Sequence, residues 1–475
     1  MGLIHQRIRK TNQALECTDD NPEYQNVSQP NHREARVNLP KTRYAWYVVI
    51  ILLFAQMFSF LDRMIMGLLV GPIRASFDIS DTQFSLLAGL AFSLFYAAMG
   101  LPLARIADRG NRRNLIAIGI TLWSAMTALC GLAKGYWSLF AARVGVGVGE
   151  ATLGPAAYSM IADYFPKTAL GRALSVYMLG VTLGSGAAYM VGGAVVGYVD
   201  QMDALVLPLL GAVEGWQLTF FIVGLPGLVI ALLVALTVRE PDRQGLSTVE
   251  EDLPFAQVLA YVLERKRAYA GHIFGISIFI MVVYALNLWG PSYFIRLFDY
   301  SRAEAGWVFG LIMILAGSAG LMVAGAAADR LMARGISDAY LRVILFSMIA
   351  MTPCAIALGF IKTETVAVLV MCLAIFFSAF QGGLSAGALQ LMTPNRMRGQ
   401  VTAIYLLTAN LIGLGLGPTV IALATDYVFS DDAALGRSIA LCAAVLCPIA
   451  AFILWNSLGS IQKLIHEQNA RDNSN

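Results

Sequence analysis

Four ionisable residues in this chain stand where charge is expensive: Asp62, Arg63, Arg143 and Glu150 all lie deep inside long apolar stretches. An isolated charge at the centre of a bilayer costs about 2.5–3.5 kcal/mol on insertion scales, so such residues face a cavity or pair with one another. Arg143 and Glu150 are seven positions apart, about 10.5 Å along a helix and on nearly one face. A carboxylate from another helix fits beside them, which predicts an Asp62–Arg143–Glu150 cluster. Its chemistry would be proton exchange coupled to an anion. A substrate anion that draws Arg143 away leaves a buried carboxylate without its counter-charge, and that carboxylate then takes a proton. The competing reading is a static ion pair that fixes helix packing. Arg63, about 100° round the helix from Asp62, can meet a phosphate or carboxylate head group, or stay within the bundle.

The elements that must position these residues follow from composition. Of 475 residues, 58% are hydrophobic and only 13% charged. Soluble domains carry about 25% charged residues, and the mean hydropathy here is +0.67. A net charge of +3 is no basic footprint, which argues against a nucleic-acid binder. Apolar stretches of about 20 residues, the length of a membrane helix, occur at 44–69, 83–106, 114–133, 137–162, 172–197, 217–238, 271–295, 304–328, 340–361, 366–391, 400–425 and 437–458. Twelve spans place both termini on one side. With that side cytoplasmic, the outer loops hold only Arg74, Lys134, Arg296, Arg302, Lys362 and Arg437, and nearly all the rest of the 33 Lys and Arg lie inside. The positive-inside rule then predicts cytoplasmic termini. The lone Asn-x-Ser site, at Asn26, falls in the tail, which favours a bacterial inner membrane.

The expectation is an all-α membrane protein of twelve transmembrane helices in two six-helix bundles. Residues 1–43 read as a disordered cytoplasmic tail, 44–238 as the first bundle and 239–270 as a cytoplasmic linker with an amphipathic helix. Residues 271–458 form the second bundle and 459–475 a C-terminal tail. The halves repeat. Gly100–Arg113 (GLPLARIADRGNRR) matches Gly325–Arg330 (GAAADR), and Gly171–Tyr177 (GRALSVY) matches Gly399–Tyr405 (GQVTAIY) at nearly the same offset. Parallel repeats place a substrate site between the halves near the midplane.

The loop at Ala104–Arg113 (ARIADRGNRR) is close to G-x-x-x-D-R-x-G-x-R-R, with Ala104 in place of its first Gly, and residues 44–458 resemble the major facilitator superfamily. Phe60–Arg63 and the R-x-x-x-G-x-G-E-A pattern from Arg143 to Ala151 are similar to spinster-type lysolipid transporters. The resemblance implies the twelve-helix fold, a monomer and alternating access. It inclines Arg63 toward substrate, and implies a cytoplasmic gate of Asp108, Arg109, Arg112, Arg113, Asp163, Asp329 and Arg330.

The second half shows no deep charge. Its polar candidates for the cavity are Tyr284, Asn287, Ser378, Gln381, Ser385 and Asn410; of these, Tyr284, Asn287 and Gln381 join Arg63 and Arg143 as the expected substrate contacts. A charged half facing an apolar one suits an amphiphile with an anionic head. The expected substrate is a lysolipid or other organic anion, coupled to protons; a facilitative uniporter and a proton symporter of a small anion such as a sugar acid stay open. No cofactor or metal site is expected: the six cysteines show no ligand spacing, and there is no Walker motif. Nor is an enzyme expected, since the four histidines sit in tails or near a helix end.

Overall fold

A computed structural model describes residues 42–201, 205–207, 211–243 and 254–472. The N-terminal tail to position 41 and much of the linker therefore lie outside the described residues, as does Cys17. Eleven helices there are long and apolar enough to cross a membrane: Thr42–Leu68, Asp81–Gly100, Arg112–Cys130, Ala169–Val199, Gly215–Thr237, Lys266–Phe298, Arg302–Ala333, Ala339–Ala357, Glu364–Met392, Arg398–Phe429 and Asp432–Gln468. The missing member is the fourth expected span. It is present as two helices, Tyr136–Glu150 and Leu153–Tyr164, broken at Ala151 and Thr152. Counting it, the chain has the twelve-span, all-helical membrane architecture that its hydropathy predicts; the spans are numbered in that order below. One short antiparallel hairpin, Leu205–Leu207 with Gly211–Val213, joins spans 5 and 6.

Local sequence explains the helix ends. Ser80 and Gln83 form a capping box at the start of span 2, and Ser301 and Glu304 form one at span 8. Asn111 caps span 3 by accepting from the Asn114 amide at 2.8 Å. Gly383, at φ +77°, breaks span 10 between the turn Ala379–Gln381 and the helix Leu384–Met392. In the linker, Phe255–Glu264 is a helix that leads into span 7. The last helix, Leu435–Asp472, runs on through most of 459–475.

The halves meet along two seams. Span 2 packs on span 11, and span 5 on span 8. Each seam carries a π-helical stretch, Leu86–Leu90 against Ala409–Leu416 in one and Met313–Gly317 in the other. Such widened turns are uncommon and interrupt the regular helical register. In the second seam Gly306 lies so close to span 5 that an added Cβ would stand 2.5 Å from the Tyr189 carbonyl oxygen. Only small residues allow helices to approach this closely.

Candidate functional site

Span 1 carries Ser59, Asp62 and Arg63 in its last turns, where its α-helix ends at Met64 and tightens into a 3₁₀ turn, Ile65–Leu68. Span 4 brings Arg143 and Glu150. Its glycines let it sink against spans 2 and 3: an added Cβ on Gly147 would lie 2.5 Å from the Phe92 carbonyl oxygen, and one on Gly149 would lie 2.7 Å from the Trp123 amide. Glu150 is the last helical residue before the break, so its carboxylate sits beside span 1.

The four charges gather in one place, with a pattern of their own. The direct ion pair is Arg63 Nε to Glu150 Oε2, at 2.6 Å. Ser59 Oγ donates to the same oxygen at 2.6 Å. Arg143 meets span 1 through the backbone carbonyl of Asp62, 3.4 Å from its Nη1, while the Asp62 carboxylate accepts from Thr127 Oγ1 at 3.1 Å. Asp62, Arg143 and Glu150 are each no more than 2% exposed. Asp62 Oδ1, Glu150 Oε1 and Arg143 Nε have no hydrogen-bond partner among the described residues. Three aromatic rings surround the Arg63 guanidinium: Phe92 at 4.7 Å, Tyr96 at 4.8 Å and Phe60 at 5.1 Å. Cation–π contact of this kind stabilises a desolvated guanidinium.

In front of the pair lies a cavity of about 390 Å³. Gln56, Ser59, Arg63, Tyr96, Glu150, Tyr158 and Tyr177 line one side, and Ala403, Leu406, Leu407 and Asn410 of span 11 line the other. Asp62 and Arg143 are not in its wall; they lie behind Arg63 and Glu150. The cavity extends past Gly100 and Ala104 toward the end of the molecule that carries the Asp-Arg loops. Sequence reading missed Gln56, Ser59, Tyr96, Tyr158 and Tyr177. Tyr177 donates to Gln56 Oε1 at 2.6 Å. It had one available signal, its match to Tyr405 in the repeated segment.

Of the second-half candidates, Asn410 lines the cavity. Tyr284 packs against two hydrophobic clusters, the larger of which draws on both halves. Asn287 accepts from Tyr189 through its backbone oxygen, and Ser385 accepts from Tyr405 at 2.9 Å. Ser378 donates to the Ile375 carbonyl oxygen at 2.8 Å. Gln381 sits in the turn of span 10 and is not in the cavity wall.

At the Asp-Arg end, Arg112 is fully buried and holds three segments together. It pairs with Asp163, with Glu240 at 2.6 Å and with Ser159 at 2.9 Å, and it donates to the Pro241 carbonyl oxygen at 3.2 Å. The Arg113 amide donates to Glu240 at 2.9 Å. Arg243 donates to the backbone oxygens of Ala107 (2.9 Å), Asp108 and Gly110 (2.7 Å). Asp108, Arg109, Asp329 and Arg330 are exposed. Glu240 and Arg243 belong to a charged run whose role only the fold reveals.

A family model, Major Facilitator Superfamily, matches residues 52–418. An MFS-type efflux pump of Mycolicibacterium smegmatis is 27% identical over 90% of this chain and 95% of its own length. A probable L-galactonate transporter of Escherichia coli is 26% identical over 82% of this chain and 84% of its own. Protein spinster homolog 1 of Xenopus tropicalis is 29% identical over 54% of this chain and 46% of its own. Among solved structures, a bacterial homologue of the human lysosomal transporter spinster, inward-facing and unoccupied, is similar with a TM-score of 0.72 and 25% identity, over 90% of this chain and 98% of that one.

Proposed function

The chain belongs to the major facilitator superfamily, and from that premise we propose that it is a secondary transporter that moves a lysolipid or another amphipathic organic anion by alternating access, coupled to protons through Asp62, Arg143 and Glu150. Its relatives are transporters, not enzymes, and the chain is a multi-pass membrane protein. The observation that carries the finer reading is the buried Arg63–Glu150 pair at the head of a cavity whose opposite wall is apolar but for Asn410. An anionic head group entering there meets Arg63 first. As it draws the guanidinium toward itself, Glu150 loses its counter-charge and takes a proton. Asp62 and Arg143, one layer deeper, sense the change through the shared backbone of span 1. The likeness to spinster proteins supports a lysolipid head and tail, the positive-inside distribution supports cytoplasmic termini, and the bacterial relatives support a bacterial inner membrane.

The test is flux in proteoliposomes. A labelled lysophospholipid would be loaded, a proton gradient imposed in either direction, and wild type compared with Asp62→Asn, Glu150→Gln and Arg143→Ala. Gradient-dependent flux lost in the variants supports the reading. Gradient-independent flux makes the protein a uniporter. A second reading rests on the L-galactonate transporter and the efflux pump, which align over most of this chain. If folded protein moves no lipid, a small organic anion becomes the substrate.

A further inference from the structure

At the end of the molecule away from the Asp-Arg loops, the two halves exchange charges. Asp81 opens span 2 and has no solvent exposure. It accepts from both Nη atoms of Arg296, at 2.6 and 2.7 Å, and Arg296 ends span 7 in the other half. Arg74, in the link between spans 1 and 2, reaches Asp81 at 3.0 Å with Nη1. The same nitrogen lies 2.6 Å from Asp432 Oδ2, at the start of span 12. Each half thus supplies one arginine and one aspartate, and Asp81 touches both arginines. Polar contacts between the halves continue inward, from the Thr82 amide to Asp426 at 2.7 Å and between Ser85 and Thr419 at 3.1 Å. A further pair, Arg302 with Asp200 at 2.6 Å, crosses at the rim, with both side chains more than a third exposed.

We propose that Asp81 is the latch of the outer gate, held by Arg296 directly and by Asp432 through Arg74. The proposal rests on the alternating-access reading. A latch must hold when dry and release when wet, and a buried two-point guanidinium–carboxylate contact does both. Closed, it is satisfied on both carboxylate oxygens, so loss of one partner leaves a buried charge uncompensated. Opened, both groups regain water. A cavity of about 510 Å³ has Arg74, Arg296, Arg302 and Asp432 in its wall but not Asp81, so water adjoins the arginines while the carboxylate stays dry until the contact parts. The rim pair, already solvated, contributes little to closure.

The test is the distance between spin labels at Lys134 and Lys362, exposed outer-loop positions in different halves, measured by pulsed EPR in liposomes with the native cysteines replaced. Asp81→Asn and Arg296→Gln are each expected to raise the population with the longer separation about tenfold relative to wild type. Asp81→Glu is expected to keep the wild-type distribution, and Asp200→Asn to change it less than twofold. The double variant D81N/R296Q has neither charge and is expected to open no further than either single one. Two separations in wild type with no shift in D81N, or single effects that simply add in the double variant, would overturn the latch alone. One and the same separation in wild type and in every variant, with the protein folded, would overturn alternating access and the latch with it.

Discussion

Arg63 Nε lies 2.6 Å from Glu150 Oε2, and this pair stands between the cavity and the deeper charges Asp62 and Arg143. The order has a consequence. Arg63 and Glu150 line the cavity and Asp62 and Arg143 do not, so under the proposed function an entering anion meets the first pair before the second. The spare lone pairs and N–H on Asp62, Glu150 and Arg143 leave room for a proton or a new partner without dismantling the site.

Glu150→Gln removes the charge opposite Arg63 but keeps the shape. Flux driven by a proton gradient should fall at least about tenfold, with protein still folded by size-exclusion chromatography. Ser59→Ala deletes a single donor to the charged Glu150, an interaction of about 1.5–3 kcal/mol, and should slow flux by about tenfold. Equal, unimpaired flux in both variants would make the pair structural.

Arg112 and Arg113 are neighbours with different duties. Arg112 is buried among Asp163, Glu240 and Ser159, whereas among the described residues the Arg113 side chain bonds only its neighbour Asn114. Arg112→Ala should destabilise the fold by about 3–5 kcal/mol, the range for breaking a buried pair. Arg113→Ala should stay within about 0.5 kcal/mol, as ordinary surface changes do. Thermal midpoints in detergent would separate them; matching midpoints would contradict this assignment.

The seams are tuned by glycine. A Cβ on Gly89 would lie 2.9 Å from the backbone oxygens of Leu414 and Gly415 across the span 2–11 seam. Gly306→Ala and Gly89→Ala should therefore push the halves apart and lengthen the outer-loop separation in the EPR measurement. Gly325→Ala, whose Cβ meets nothing within 4 Å, should leave it unchanged. A shift in Gly325→Ala of the same size would show that the seam is not what responds.

Asn410 is in the cavity wall and Gln381 is not. Asn410→Ala should raise the substrate KM about threefold with little change in maximal rate, and Gln381→Ala should alter neither. The reverse pattern, read from concentration-dependent uptake, would move the substrate toward span 10.

Much of this was legible in residues alone. Each span announces itself through twenty or so apolar residues, because bilayer thickness and helix rise set that length locally. The repeat and the four deep charges are visible for the same reason: apolar context makes a lone Asp or Arg conspicuous. The partners were another matter. Arg143 and Glu150 share a face of one helix, so spacing suggests that they act together, yet Glu150 pairs with Arg63 and Arg143 with the backbone of Asp62. That choice depends on how span 1 is rotated against span 4, on the 3₁₀ turn after Met64 and on the break after Glu150.

By itself, then, the sequence determined the membrane class, the two-bundle repeat and the four charges deep in the spans, because hydropathy and length are properties of contiguous residues. Tertiary structure alone decided that Glu240 joins Arg112 and that Asp81 faces Arg296. It also set Arg63 before the cavity and Asp62 behind it. Those pairings join residues far apart in the chain, and an ion pair forms only where helix rotation, crossing angle and close glycine contacts bring two side chains within about 4 Å of each other.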